Sequence, residues 1–212
     1  MFVRDCMTPN PITIRPESDP LVSVALMKAA GIRHLPVLDS DGSLVGIVGR
    51  GDLEMFLSTA ASPGVMKRNY HVSQVMKREV IHVTPACPLE DAALQMVKHK
   101  IGCLPVVEQG TLVGIITEID IFERFAAVLG GGTDALRLTV QVDDIPGQLA
   151  GLAGRIAAVQ GNISSVVGYP SDEPGRMNFT MRVTGIDRET LLEAIEGFPA
   201  LRVIEAGVCD EQ

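Results

Sequence analysis

The sequence predicts a mixed α/β (α+β) chain in which a β-α-β-β-α unit is written twice and followed by a β-α-β-β-α-β unit. Three observations carry this. The first 126 residues match themselves at an offset of 69. Within each copy the apolar residues switch between strand and helix periods in the same order. After Gly130-Gly131-Gly132 the order of strands and helices changes. With 212 residues, 46% of them apolar, the chain can bury two to three small cores. Disorder is excluded, because disordered chains hold too little apolar surface to offset chain entropy.

The repeat is visible residue by residue. Val3, Met7, Ile12, Pro16, Met27, Ile32, Leu35, Pro36 and Val37 recur as Val72, Met76, Ile81, Pro85, Met96, Ile101, Leu104, Pro105 and Val106. Beyond a loop shortened by one residue the offset is 68, and Gly42, Leu44, Gly46, Ile47 and Asp52 recur as Gly110, Leu112, Gly114, Ile115 and Asp120. Two copies make a tandem pair and not a solenoid, which needs at least about three repeats. Each copy opens with a short strand, Pro11 to Ile14 or Val80 to Val83. A helix follows, striped by Leu21, Val24, Ala25 and Met27, or by Leu89, Ala92, Ala93, Met96 and Val97. Pro20 fits the opening turn of the first of these helices. A hairpin comes next, Leu35–Leu38 with Leu44–Val48 or Leu104–Val107 with Leu112–Ile116, turning at Asp41-Gly42 or Gln109-Gly110. A closing helix starts near Asp52 or Asp120.

The last unit begins with Leu136, Leu138, Val140 and Val142 alternating with polar residues, a half-buried strand. Asp144-Ile145-Pro146-Gly147 predicts a helix start with Pro near its first position, and Leu149, Leu152, Ala153, Ile156 and Val159 stripe one face. Gly161 stands where a C-terminal cap glycine belongs. Strands are expected over Ile163–Val167, Met177–Val183 and Leu201–Val208, with a helix capped by Asp187 carrying Leu191, Leu192 and Ile195. This is the split ferredoxin-like order. The organisation reads as unit one, 1–58; a linker, 59–70; unit two, 71–129; a glycine joint, 130–133; and unit three, 134–212.

Gly31-Ile32-Arg33-His34-Leu35-Pro36-Val37, Leu44-Val45-Gly46-Ile47-Val48 and Asp52, with their counterparts through Thr117-Glu118-Ile119-Asp120, make residues 1–126 resemble a pair of CBS domains. Asp144-x-Pro146-Gly147-x-Leu149 and Gly161-Asn162-Ile163 make residues 134–209 similar to an ACT domain. The whole order resembles the acetoin-utilisation AcuB-type proteins, whose role is regulatory. The resemblance implies two clefts between the CBS copies that hold AMP, ADP, ATP or another adenosine compound. A carboxylate at a helix start can accept hydrogen bonds from ribose hydroxyls, a nearby Thr can donate, apolar residues sandwich the base, and cations meet phosphate. The main cleft would use Ile12, Ile32, Arg33, His34, Pro36, Thr117 and Asp120. The weaker cleft would use Asp52, Ile81, Cys103 and Pro105, because Gly49 replaces the hydroxyl and Gly102 stands at the Arg33 position. The bland alternative is that Asp52 and Asp120 only cap their helices, worth ~1 kcal/mol each. An amino acid at Asp144, Gly147, Asn162 and Ile163 of the ACT unit, and a homodimer, are also implied.

The remaining features narrow the function. No catalytic motif is present, neither Gly-x-Ser-x-Gly nor a phosphate loop ending in Gly-Lys-Ser or Gly-Lys-Thr, so the expectation is a non-enzyme with no required cofactor. Cys6, Cys87, Cys103 and Cys209 are scattered like reduced thiols, and His99 with Cys103 makes a weak zinc pattern beside Gly102 and Pro105. The start, Met1 to Cys6 with Asp5, predicts no secretion leader, and no run of roughly 18 apolar residues predicts a membrane span, which points to the cytoplasm. The net charge is −8. Residues 1–133 hold 12 basic and 14 acidic residues, and residues 134–212 hold 6 and 12. That balance excludes a nucleic-acid polymer as partner but leaves the nearly neutral repeat open to a small phosphorylated ligand, with Lys67–Arg78 a possible phosphate contact. The expected function is a ligand-sensing regulator passing its state to an unidentified protein. The alternative is a constitutive dimerisation or scaffold protein with degenerate sites.

Overall fold

A computed structural model of the protein describes residues 1–60 and 70–207. Most of the 59–70 linker, with Lys67 and Arg68, and also Val208 and Cys209, lie outside the described residues. The chain divides into two compact units, residues 1–122 and 123–212.

The first unit contains β1 (Thr8–Pro9), α1 (Pro20–Ala29), β2 (His34–Leu38), β3 (Leu44–Gly49) and α2 (Arg50–Ala60). Its second copy contributes α3 (Leu89–His99), β4 (Cys103–Glu108), β5 (Thr111–Thr117) and α4 (Glu118–Val128), the last of which runs past the boundary. The hairpins β2–β3 and β4–β5 form as the sequence predicts, each with a register shift near its turn. Pro20 occupies the first turn of α1, and Asp19 caps it by accepting from Leu21 N and Val22 N. The predicted strands at Pro11–Ile14 and Val80–Val83 do not form; each is an extended segment making one parallel bridge, Ile14 to Val37 and Val83 to Val106. Leu21 and Val97, assigned to buried stripes, are 65% and 75% exposed, and burial falls instead on Val24 and Met27 and on Leu89, Ala92 and Met96.

Each copy also gives its opening residues to the other. Thr8 and Pro9 pair with Ile115 and Gly114 of β5, while Lys77 bridges to Ile47 of β3. Val3 N donates to Cys87 O, and, 69 residues on, Val72 N donates to Ser18 O. Val72 and Met76 are thereby buried in the first copy's core with Met27, Leu35, Val37, Val48 and Leu53. The contact requires glycine. A Cβ at Gly46 would lie 2.6 Å from Met76 Sδ, and one at Gly114 would lie 2.6 Å from Met7 Sδ and 3.2 Å from Thr8 O.

In the second unit, β6 (Leu136–Asp143), α5 (Gln148–Ala158), β7 (Asn162–Pro170), β8 (Arg176–Thr184), α6 (Arg188–Ile195) and β9 (Arg202–Gly207) give the expected β-α-β-β-α-β order. The antiparallel sheet runs β7-β8-β6-β9. Leu138, Val140, Val142, Met181 and Val183 meet Leu152, Ile156, Leu191 and Ile195 in one core. Pro146 lies before α5 and not in its first turn, because Gly147 takes a left-handed conformation (φ +94°) to begin the helix at Gln148. Gly161 is not the left-handed cap; Gln160 is (φ +65°), and Gly161 is small because a Cβ there would lie 2.7 Å from Ile156 Cγ2 and 2.8 Å from Ile186 Cδ1. The glycine run, expected as a flexible joint, is a hydrogen-bonded turn in which Gly131 N donates to Ala126 O and Thr133 Oγ1 to Gly130 O. Gly130 and Gly132 are left-handed, which is what closes it.

Replacing Gly114 with Ala forces Met7 or the Thr8 backbone to move, and overpacking of this kind destabilises by about 1–3 kcal/mol. The double variant Gly114→Ala/Met7→Ala should lose less than its two single variants combined, measured by urea unfolding; strictly additive losses would refute the contact.

Candidate functional site

Thr117 ends β5 and Asp120 lies in the first turn of α4. Thr117 N and Thr117 Oγ1 each donate to Asp120 Oδ2 at 2.7 Å. Asp120 N points back to Thr117 Oγ1 at 3.4 Å. This is a reciprocal cap of the helix start. Since both bonds fall on Oδ2, the second carboxylate oxygen is left for other donors. The pair opens on a cavity of about 310 Å³ lined also by Ile12, Ile32, Arg33 and His34. Six of the seven residues assigned to the main cleft therefore come together. Pro36 does not line it; it is buried within β2, where its carbonyl accepts from Ile14 N at 3.1 Å.

The second cleft, about 240 Å³, brings together all four of its predicted residues, Asp52, Ile81, Cys103 and Pro105. Gly49, opposite Asp52, carries no hydroxyl, and a Cβ there would lie 3.1 Å from Asp52 Oδ2. Lys77 and Lys100 also line this cleft. Lys77 belongs to the basic Lys67–Arg78 segment, but Lys100 was not foreseen, since reading copy against copy compares it with an uncharged Gly31. A groove of about 760 Å³ between α2, α3 and α4 is lined by Arg33, His34, Asp52, Lys100 and Glu118 among others, so it adjoins both clefts.

Electrostatics set the state of these side chains. Arg33 Nη2 donates to Glu118 Oε1 at 3.2 Å, linking copy one to copy two. Burial first, and the neighbouring Arg33 charge second, push the His34 imidazole below its ordinary 6.5, against opposing pulls from Glu118 and Asp52. Burial, with Glu118 adding to it, pushes the Cys103 thiol up to about 12. A thiol so held stays protonated and is a poor nucleophile. Among the described residues no group of three or more His, Cys, Asp and Glu could hold a metal ion, and no helix is long and apolar enough to cross a membrane.

In the second unit Asp144 and Gly147 lie in the turn before α5, with Asp144 N donating to Gly175 O at 2.9 Å. Asn162 and Ile163 open β7, and Ile163 packs against the core. A cavity of about 300 Å³ in this unit is lined by other residues, Leu192, Ile195, Phe198 and Leu201 among them.

Two copies of one unit, exchanging their opening segments and enclosing two related clefts, define a paired-domain module. Residues 3–58 and 72–127 match the CBS domain family and residues 131–206 the TTHA0829-like ACT domain family. The chain belongs to the CBS domain proteins and carries an ACT domain after the pair. A putative acetoin utilization protein (AcuB) from Vibrio cholerae is similar at 35% identity and TM-score 0.53, over 61% of this chain and 93% of that one. The CBS domain pair of protein MJ0100, solved with 5′-methylthioadenosine and S-adenosyl-L-methionine, is similar at 28% identity and TM-score 0.54, over 60% and 97%. CBSX2, solved with AMP, is similar at 27% identity and TM-score 0.51, over 60% and 97%. Homoserine O-acetyltransferase of Methanococcoides burtonii is 34% identical over 120 residues, which are 56% of this chain and 23% of that enzyme. The chain thus spans about a quarter of that enzyme's length.

The His34 shift has a signed consequence. As pH falls below 6.5 the unfolded chain takes up a proton on His34 that the folded chain still refuses, so stability drops until the lower folded value is passed. Between pH 7.5 and 5.5 the wild type should lose melting temperature faster than His34→Asn. Parallel curves would show that His34 does not titrate as described.

Proposed function

We propose that this protein is a non-catalytic regulator that binds an adenosine compound in the clefts of its CBS pair and passes the ligand state to a partner protein. The observation that carries the reading is the Thr117–Asp120 pair, which holds one carboxylate oxygen and lines a cavity together with Ile12, Ile32, Arg33 and His34. Ribose hydroxyls can donate to the other oxygen, and the two isoleucines offer an apolar slot for a base. Adenosine ligands in the solved relatives support the same chemistry. The Arg33–Glu118 pair gives ligand state a route to protein conformation, because a group that competes for either partner alters a link between the copies. Transmission requires the ligand to differ in affinity for two arrangements of the pair. For the ACT domain, an amino acid near Asp144, Gly147, Asn162 and Ile163 and a homodimer rest on the resemblance, and a cytoplasmic setting rests on the sequence reading of its start and its scattered cysteines.

A second reading, a constitutive dimerisation or scaffold protein with degenerate sites, is favoured by Gly49, which lacks the hydroxyl that Thr117 supplies.

Melting curves with AMP, ADP, ATP, 5′-methylthioadenosine and S-adenosylmethionine separate the two. A compound at about a hundred times its dissociation constant should stabilise the protein by ~2.7 kcal/mol. The shift should vanish in Asp52→Ala/Asp120→Ala. Pull-down with and without that compound should then change the captured partner. No shift with any of the five supports the scaffold.

A further inference from the structure

We propose that the two clefts sort adenosine compounds by the charge of the 5′ group: the Asp52 cleft takes a phosphorylated one, and the Asp120 cleft takes one whose 5′ group is uncharged or cationic. This rests on the reading of the clefts as adenosine sites and adds which ligand class each admits.

The repeat supplies the comparison, because the clefts are built from equivalent positions. Thr8 and Gly31 line the Asp120 cleft, and their equivalents Lys77 and Lys100 line the Asp52 cleft. At the helix starts that close the clefts, Glu118 follows Thr117 and Arg50 follows Gly49. The backbones confirm the equivalence: Glu118 N donates to Gly102 O at 3.1 Å and Arg50 N to Arg33 O at 2.9 Å. The Asp52 cleft therefore gains two ammonium groups on its walls, while Arg50 and Glu118 line the adjoining groove and neither cleft.

Arg33 opposes this count but does not reverse it. It is the one arginine or lysine lining the Asp120 cleft among the described residues, and its guanidinium is engaged by Glu118. A phosphate that reaches Arg33 competes for it with Glu118, which lines the adjoining groove, whereas a thioether or a sulfonium meets no such conflict. Lys77, Lys100 and Arg50 have no ion-pair partner among the described residues. Glu79 also lines the Asp52 cleft and offsets one of them. Asp52 is the counterpart of Asp120, with ribose hydroxyls to meet, which leaves two lysines against Glu79 for phosphate. Salt-free cations beside a phosphate form the stronger, charge-assisted class of hydrogen bond. The backbone adds an observation of its own. Lys100 sits in the left-handed region (φ +53°), where its equivalent is Gly31 (φ +67°). A side chain is thus held in a conformation that disfavours it, at the rim shared by the Asp52 cleft and the groove.

Titration calorimetry on the full chain with AMP and with 5′-methylthioadenosine tests the sorting. In Lys77→Gln/Lys100→Asn, where Asn tolerates the left-handed position, AMP should bind about tenfold or more weakly, as it should in Asp52→Asn. Asp120→Asn should change AMP affinity by less than about twofold and should weaken 5′-methylthioadenosine by about tenfold. Glu118→Gln, which releases Arg33, should let the protein take up a second equivalent of AMP. Unchanged melting temperatures of the lysine variant guard against misfolding, since both lysines are exposed. AMP binding that is lost in Asp120→Asn and kept in the lysine variant overturns the sorting while leaving the clefts as adenosine sites. No heat from either compound overturns both.

Discussion

The fold of the CBS pair depends on one exchange: each copy's opening segment packs on the other copy's hairpin. Met7 lies over Gly114 and Met76 over Gly46, at a separation that leaves no room for a Cβ. The exchange completes each core with residues from outside the copy, Val72 and Met76 in the first, and it holds the two hairpins at a fixed separation. The clefts are the spaces that this arrangement leaves. Their walls come from both copies because the strands and helices that end beside them do.

Much of this was legible in the sequence, for a local reason. Hairpins, helix starts and apolar stripes depend on residues a few positions apart, so Pro20, Asp41-Gly42 and the β6 alternation could be read directly. The cleft residues were legible because a second copy of the motif stood beside the first. What escaped was set by packing across distance. The segment Pro11–Ile14 has strand composition, yet it pairs only through Ile14, with Val37 of β2, so no ladder forms. Gly161 looked like a cap, but its size answers to Ile156 and Ile186 rather than to its dihedral angle. Val97 belongs to a helical period whose other face, not this one, is buried.

The electrostatic character of the site was the least legible part. Comparing copies shows Gly102 where Arg33 stands and suggests a cleft short of cations. The folded chain adds Lys77 and Lys100 to that cleft and ties Arg33 to Glu118, so the ranking by single motif positions does not carry over to charge. His34 lines both clefts and the groove between them. Burial and Arg33 push its ring below the ordinary value, so an anion that drew Arg33 from Glu118 would also favour a proton on His34. Charge, proton and ion pair are coupled at this one residue.

The reciprocal exchange also bears on how the chain folds. Val3 contributes to the second copy and Val72 to the first, so neither copy is a complete folding unit, and the pair closes only when Val3 has met Cys87 and Val72 has met Ser18. The same contacts need no covalent connection between the copies. A single copy on each of two chains could make them by swapping its opening segment with its twin, which is the geometry of a domain-swapped dimer. The tandem arrangement turns that two-chain encounter into an intramolecular one. Within it, equivalent positions carry different charge, Arg33 against Gly102 and Arg50 against Glu118.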